Sequence, residues 1–479
     1  MTLSIFDIAQ SAPHSEALVC DGTRLSFAAL AARAHARAAQ LTTLGIRALV
    51  APPVALVVDG SVPMFEYLHA LFALGIPVLP IHPRLTALER AVLLTASAAQ
   101  TLIDPAQAEP ALPAPKAPWV APLIPEAHAL AYVPTSGSSG SPKLVELSRR
   151  AFLALARADA ARVPARASDR ALLCLPLSHV GGLSVVTRAL LARRACVAFR
   201  APSSGLLSSL PELAECLATE RITLVSLVPP VLSRLLRVAP RLAERAPLRA
   251  VLLGGQACPL ELFEHARQSA LPVLTSYGLT ETCSQVSTLA LPVPVHPPLS
   301  NGVVGVGFPL PGLEARVRGG LIEVRGQTLL TRYLGGPSPL DEAGFFATGD
   351  RGELDPELGL FVFGRASELV ITGGENVDPT EVEHALLACG GLEAVCVFGV
   401  PDAEFGARLV AAFEVSDART FDEAALFTAL DQRLASFKQP RSVCRFEVLP
   451  RLGSGKLDRP RIREEAQLLL RPADRVRAT

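Results

Sequence analysis

Lysine is nearly absent from this chain. Among 45 basic residues only Lys116, Lys143, Lys438 and Lys456 carry an ammonium, and all the others are arginine. With 2 methionines against 41 prolines and abundant alanine, the composition looks like a GC-rich coding bias, a background in which each retained lysine invites a chemical reason. Net charge is absent too: 45 acidic residues balance the 45 basic ones, leaving no electrostatic footprint for nucleic acid or an anionic membrane. No stretch reaches the roughly 20 apolar residues of a membrane helix, since the segment Val54 to Leu79 is broken by Asp59, Pro63, Glu66, Gly75 and Pro77. The opening MTLSIFDIAQSAPHSEALVCDG has no basic stretch leading into an apolar one, so no secretory signal is expected and the predicted location is the cytoplasm. The nine cysteines contain no C-x-x-C pair, which points to reduced core thiols rather than a disulfide framework or a zinc site. No repeat of short fixed period is present, which argues against a solenoid.

What is there is long and apolar: 479 residues, 50% hydrophobic and 19% charged. Such a chain is too long for one ordinary core and too apolar for disorder, so a large domain with a smaller one is expected. Short β-branched or leucine-rich runs alternate with helical patterns. VALVV from Val54, VLPI from Val78, ALLCLPL from Ala171, CVAF from Cys196, TLVSLV from Thr223 and LRAVLLGG from Leu248 read as buried strands. MFEYLHALFAL from Met64, ALERAVLLTAS from Ala87, ELAECLATE and PVLSRLLRVA read as helices between them. The alternation predicts an α/β fold with layered, mostly parallel sheets. The Pro- and Ala-rich segment Pro105 to Pro125 reads as a surface connection, and Lys116 within it receives no role. Toward the end, GLIEVRG, GLFVFGR, AVCVFGV and VAAFEV read as strands, with EVEHALLA and FTALDQRLA as helices. A boundary near Phe363 to Glu368 divides residues 1–364 from a small α+β domain, 365–479.

The first chemical signal is Thr135, Ser136, Gly137, Ser138, Ser139, Gly140, Ser141, Pro142, Lys143. Glycines let backbone N–H groups approach an anion, hydroxyls add donors, and the lysine adds charge. The run is not a G-x-x-x-x-G-K-[ST] loop, and Pro142 disfavours helical geometry at Ser141, so Lys143 is not expected to open a helix. A flexible Ser/Gly linker is the bland alternative; the flanking ALAYV and the retained lysine count against it.

This run resembles the phosphate loop of the adenylate-forming superfamily, the acyl-CoA synthetases, luciferases and peptide-synthetase adenylation domains. Further elements follow in that family's order. Ser276-Tyr-Gly-Leu-Thr-Glu281 resembles its Y-G-x-T-E element, Thr348-Gly-Asp350 its T-G-D element, and Gly364-Arg-Ala-Ser-Glu368 its hinge. Gly373-Gly-Glu-Asn376 resembles the loop after the hinge, and Gly453-Ser-Gly-Lys456 the catalytic lysine loop. Singly these are weak; in order from Thr135 to Lys456 they are specific.

The resemblance implies a large N-terminal domain that binds ATP and an acid, and a small, mobile C-terminal lid that turns between two half-reactions. By resemblance, Lys143 and Thr280 contact phosphate, and Glu281 binds Mg²⁺, a hard carboxylate ligand for a hard cation. Gly254, Gly255 and Gln256 line adenine, with Tyr277 as the stacking ring and Gly278 beside it. Asp350 receives the ribose hydroxyls, assisted by Arg365, and Lys456 reaches between the attacking carboxylate and the α-phosphate. Gly373 and Gly374 line a tunnel for the CoA thiol arm, and Glu368 serves as the hinge, where the family usually has Asp or Lys. Lys438, in SFKQP, resembles the family's Y-K-x-P stretch.

The acyl-pocket segment corresponds to Leu175-Pro-Leu-Ser-His179-Val-Gly-Gly-Leu183, which lacks the aspartate that amino-acid-activating members use to hold an ammonium. Around it, LPLSHVGGLSVVTRALL, LRAVLLGGQACPLEL, SYGLTETCSQVSTL and ITGGENVDPTEVE most resemble the 2-succinylbenzoate:CoA ligases of menaquinone biosynthesis. That resemblance implies substrate contacts at His179, Gly182, Arg188 and Ser276, with Arg188 near a second carboxylate. The structural alternatives are a core histidine and an arginine on a solvated helix face. Three departures stand out: Gly181 for a small polar residue, Leu144 for a glycine after Pro-Lys, and Asp378 for an aromatic before Pro379. They keep open a CoA ligase for benzoate-like or anthranilate-like acids, or a stand-alone enzyme loading a carrier protein. ATP, Mg²⁺ and CoA are the implied cofactors and co-substrate; nucleic acid and membrane insertion are not expected, and a homo-oligomer is not excluded.

Overall fold

Runs of β-branched and leucine residues bounded by Pro, Gly or Asp form strands that are buried along their whole length, as at Val54–Val57 and Val78–Ile81. Strands with no solvent face must be covered on both sides, the condition of a parallel sheet between helices. The computed structural model describes residues 2–49, 52–107, 115, 118–135, 143–202, 206–294, 297–300, 302–372, 375–402, 406–415, 421–434, 436–453 and 455–470.

The fold is α/β. An eight-stranded sheet runs in the order Ser287–Thr288, Val273–Tyr277, Ala250–Leu253, Leu224–Leu227, Arg170–Leu173, Ala195–Ala198, Glu16–Cys20 and Thr23–Ser26. Its inner junctions are all parallel, and each edge strand joins antiparallel. A second, six-stranded sheet holds Val54–Val57, Val78–Ile81 and Thr101–Ile103 in parallel, continued by the hairpin of Ala129–Thr135 and Lys143–Ser148 and an edge strand Arg332–Tyr333. The third sheet differs from the parallel expectation: Leu313–Arg318, Leu321–Gly326, Phe346–Asp355 and Gly359–Arg365 form an antiparallel meander. Two short turns, one holding left-handed Gly319 and Gly320, and a longer segment that lends Arg332–Tyr333 to the second sheet replace crossover helices there.

The main hydrophobic core runs through these layers from Leu3 to Leu360, and a smaller cluster of Ala55, Val57, Leu79, Ile81, Leu93 and Leu144 lies on the other face of the second sheet. Beyond them the strands Leu392–Asp402, Gly406–Val415 and Ser442–Phe446 make a separate sheet. Its two faces alternate strictly. Val395, Val397, Leu409, Ala411 and Phe413 face the helices Pro379–Ala388 and Glu423–Asp431, whereas Cys396, Phe398, Val410 and Ala412 face the helix Arg459–Leu469. The helix expected at FTALDQRLA starts earlier because the Asp422 side chain accepts Ala424 N–H at 2.9 Å and caps it. Among the described residues no helix is long and apolar enough to cross a membrane.

Candidate active site

Four adjacent parallel strands end on the same edge of the large sheet, and their carboxyl ends lead into the segments singled out above. Arg170–Leu173 leads to His179, Leu224–Leu227 to Val228, Ala250–Leu253 to Gly254, and Val273–Tyr277 to Gly278. The carboxyl edge of an open α/β sheet is where ligands bind, because loops diverge there and leave a crevice.

Steric need explains several of the glycines. A Cβ on Gly278 would lie 1.4 Å from the Ser284 carbonyl oxygen, so nothing larger fits. The turn Thr280–Thr282 follows, closed by Leu279 N–H donating to Thr282 Oγ1 at 3.0 Å. Cys283 and Ser284 then adopt left-handed backbone (φ 55° and 94°), a conformation side chains resist and one found where a loop is held for a purpose. This turn presents Thr280 and Glu281. Glu281 Oε1 accepts a hydrogen bond from the Tyr333 hydroxyl at 3.0 Å, and its main-chain carbonyl accepts Leu330 N–H at 2.8 Å. Burial and the Glu281 carboxylate raise the Tyr333 pKa, so the phenol stays a donor.

Sequence reasoning missed Tyr333. It sits on the edge strand opposite Val145, and the Lys143 ammonium lies 5.1 Å from its ring centroid, so one aromatic links the proposed phosphate and magnesium residues. Its scarcity was the available signal: the chain has 4 tyrosines, and Tyr277 and Tyr333 both stand in this site. Thr135 and Lys143 face each other across the hairpin, with Thr135 Oγ1 donating to the Lys143 carbonyl at 3.4 Å. Ser136, Gly137, Ser138, Ser139 and Gly140 lie outside the described residues, as do Gly373, Gly374 and Lys116.

Asp350 is buried. Its Oδ1 is 3.0 Å from Arg365 Nε, directly across the antiparallel sheet, and its Oδ2 accepts the Tyr277 hydroxyl at 2.5 Å. Burial raises the carboxyl pKa, while the guanidinium and the phenol pull it down. Tyr277, expected as a stacking ring, is itself 9% exposed and orients Asp350 through its hydroxyl. The sequence pattern disclosed the residue but not this bond. Arg365 also donates to the Thr348 carbonyl at 2.7 Å, and its side chain stays 45% exposed toward the cleft.

His179 precedes the helix Val180–Leu191. Its side chain keeps open surface although protein packs closely around it, the condition of a group lining a cleft. Burial first, then the neighbouring Lys456 and His82, lower its pKa to about 4, so the ring is neutral at physiological pH. Gly182 has a packing role, since a Cβ there would lie 2.5 Å from the Pro176 carbonyl oxygen. Ser276 bonds the neighbouring strand, with its hydroxyl 2.8 Å from Thr288 Oγ1 and 3.1 Å from the Ser287 carbonyl. Arg188 is not on a solvated face. Its side chain is 12% exposed and its Nη1 lies 2.9 Å from Asp159 Oδ1, so a buried carboxylate already balances part of its charge.

Lys456 arrives from the C-terminal sheet on a tight turn whose Leu452 N–H donates to the Lys456 carbonyl at 2.8 Å. Gly455 is left-handed (φ 85°), and its absent Cβ would touch Val228 and Val231. Gly255 is also left-handed (φ 82°), and a Cβ there would fall 2.7 Å from Lys456 Cε and 3.1 Å from Nζ. The ammonium thus lies over the glycine loop, and burial with the Arg365 charge lowers its pKa. Gly453 of the same turn packs against His82 and Arg84, two further residues without a sequence signal.

Between the two cores, Gly364 (φ 122°) leaves no room for a Cβ, which would stand 2.6 Å from Thr380 Oγ1. Glu368 lies 4.0 Å from Arg459, which also makes paired bonds to Glu383. Asp378, the departure from an aromatic, caps the helix Pro379–Ala388 and pairs with Arg351 at 3.0 Å. Lys438 pairs with Glu381 at 2.6 Å.

Comparison with known proteins places this geometry. The AMP-binding enzyme family matches residues 5–328, and the AMP-binding enzyme C-terminal domain matches residues 381–456. A 2-succinylbenzoate–CoA ligase of Bacillus pumilus (strain SAFR-032) is 30% identical over 490 residues, covering 95% of this chain and 96% of the relative. The O-succinylbenzoate coenzyme A synthetase (MenE) of Bacillus subtilis, solved with ATP and magnesium ion, superposes with a TM-score of 0.83 at 27% identity, covering 96% of this chain and 98% of that one. ATP-bound MatB from Rhodopseudomonas palustris superposes with a TM-score of 0.84 at 25% identity, covering 98% and 100%.

Proposed function

This chain belongs to the AMP-binding enzyme family, and from that premise we propose that it is an AMP-forming acid–thiol ligase acting on 2-succinylbenzoate. With ATP and CoA it would make 2-succinylbenzoyl-CoA for menaquinone biosynthesis, in the cytoplasm. The observation that carries the activity is the seating of Lys456 on Gly255, beside His179 and in the field of Arg365. The identity to 2-succinylbenzoate–CoA ligases over most of the chain supports the substrate.

A carboxylate oxygen attacks the α-phosphorus and pyrophosphate leaves; the CoA sulfur then attacks the acyl carbon and AMP leaves. Two anions must meet in the first step, so the site has to hold them in line and neutralise them. Lys456 does this for the attacking oxygen and the α-phosphate, with Lys143, Thr280 and the Thr135 loop on the outer phosphates. Asp350 holds the ribose, with its direction fixed by Tyr277 and Arg365. Gly254, Gly255 and Gln256 border the base. Among the described residues no cluster of three metal-ligating side chains occurs. Glu281, a single carboxylate oriented by Tyr333, suits Mg²⁺, which takes one or two carboxylates and fills its shell with phosphate oxygens and water. When bound, the ion would neutralise phosphate charge. His179, Gly182, Ser276 and Arg188 border the acid. We assign residues 1–364 and 365–479 as the two domains, with Glu368 as the hinge between the half-reactions and Gly373 and Gly374 on the thiol path.

One observation favours a second reading. Because Asp159 already balances part of the Arg188 charge, a benzoate-like acid without a second carboxylate would also suit the pocket. Pyrophosphate release across a panel of carboxylic acids, with and without CoA, separates the two. Turnover of 2-succinylbenzoate well above simple benzoates supports the first, and the reverse order overturns it.

A further inference from the structure

Lys456 is carried on a turn beyond the C-terminal sheet, which has its own core, so something must hold that sheet against the site. The helix Pro229–Val238 does so at both ends. Near its start Val228 and Val231 border Gly455, the residue before the lysine, at 3.5 and 3.6 Å from where a Cβ there would stand. On its second half Arg234 and Arg237, three apart and therefore on one face, reach two carboxylates of the C-terminal sheet. Arg234 Nε is 2.8 Å from Glu393 Oε1 and its Nη2 is 2.5 Å from Glu414 Oε1, while Arg237 also bonds Glu393. Glu414 passes the connection on. Its Oε2 accepts Leu449 N–H at 3.2 Å and lies 3.3 Å from Arg451 Nη2, and Arg451 Nη1 reaches the Gly455 carbonyl at 3.4 Å. The chain of contacts is therefore Arg237, Glu393, Arg234, Glu414, Arg451, Gly455, and then Lys456.

We propose that this arginine–glutamate relay is a latch that positions Lys456 for adenylate formation, with Arg234 and Glu414 as its positioning residues. They act by fixing the turn that carries Lys456. The chemistry suits a reversible contact. The Glu393 and Glu414 side chains are 9% and 7% exposed, so the carboxylates are shielded while the sheet is seated, with Arg234 at 22% and Arg237 at 45% exposed on the solvent side. Because buried ion pairs repay desolvation only narrowly, release into water costs little, unlike release of an apolar seam. The latch therefore holds the lysine for the first half-reaction and lets the sheet leave for the second. This inference rests on the proposed activity, and its test keeps the two apart.

Arg234→Gln, Glu414→Gln and the charge-retaining Arg234→Lys are compared with the unaltered full chain in two measurements. The first is hydrogen exchange of the amides between Leu452 and Asp458, which needs no substrate. Faster exchange there in both Gln variants, with exchange in the large sheet unchanged and recovery in Arg234→Lys, is expected; unchanged exchange overturns the latch. The second compares half-reactions. Pyrophosphate release with acid and ATP should fall roughly ten- to a hundredfold in kcat with KM little altered, since a misplacement of about 1 Å at a reacting centre has that effect. Thioester formation from preformed acyl-adenylate and CoA should stay the same or rise; an equal fall in both half-reactions also overturns the latch. If the unaltered chain releases no pyrophosphate with any acid while its exchange pattern responds as expected, the functional reading fails and the latch stands.

Discussion

The two sides of this site are built by different means. On the large-domain side, buried hydrogen bonds and steric exclusion place each group: Asp350 is held by the Tyr277 hydroxyl, and Gly278 has a carbonyl where a Cβ would be. On the small-domain side, Lys456 is placed by a turn and a set of ion pairs reaching back to Arg234 and Arg237. The first arrangement cannot be undone without unfolding. The second can be, since its partners regain water on separating. The proposed two-step reaction, which uses the cation only in its first step, calls for this division.

The largest effect expected is at the cation. A unit charge about 4 Å from its partner at an effective dielectric near 20 contributes about 4 kcal/mol, or roughly a thousandfold in rate. Lys456→Ala should therefore nearly abolish pyrophosphate release while leaving the denaturant midpoint unchanged; near-normal release would defeat its assignment.

Next comes a pair of large-domain glycines, one enclosed by its own domain's backbone and the other facing the seated lysine. Gly278→Ala drives a Cβ into backbone that cannot yield and should destabilise by about 3 kcal/mol or more, seen as a lower denaturant midpoint. Gly255→Ala meets the flexible end of Lys456, an ordinary contact with Val228 and a left-handed backbone, so it should lose about 1 kcal/mol of stability but a larger share of activity. Equal stability losses would erase the distinction between the built side and the seated one.

The same division decides what was legible in the sequence. The built side is local: Tyr277, Gly278, Thr280 and Glu281 lie within one strand and its following turn, and Gly254 and Gly255 follow another, so short contiguous motifs could carry the resemblance that singled them out. The fold class followed from the same alternation of buried runs and helices. What escaped was non-local. Tyr333 meets Glu281 from 52 residues away, and Arg234 meets Glu414 from 180. No periodicity encodes such pairs, and arginine is too common here to single out two of them. Arg188 was visible as a cation, but its neutralising partner Asp159, on a different helix, was not. The antiparallel meander was missed as a sheet for a related reason: Leu313–Arg318 is mostly half-exposed and carries little apolar signal.

Tyr333→Phe tests a smaller link, the hydroxyl that orients Glu281 while the ring under Lys143 is kept. Loss of one hydrogen bond to a carboxylate, about 1.5 kcal/mol, predicts roughly a tenfold higher Mg²⁺ requirement for pyrophosphate release, with little change in stability. An unaltered Mg²⁺ dependence would leave Tyr333 as packing only.

The smallest effect is read on His179. Burial, and to a lesser degree Lys456 and His82, depress its pKa from 6.5 to about 4. A histidine depressed in the folded state is neutral there while its unfolded form takes a proton, so its contribution to stability is complete above pH 6.5 and is lost as the pH falls toward 4. Imidazole NMR should show no His179 titration between pH 5 and 8. In Lys456→Ala the pKa should rise only part of the way back, because burial is the larger cause and remains. A His179 that titrates near 6.5 in the unaltered protein would mean that the cleft is open and the lysine turn unseated in solution. The contrast between a built side and a seated side would then belong to a minor population rather than to the resting enzyme.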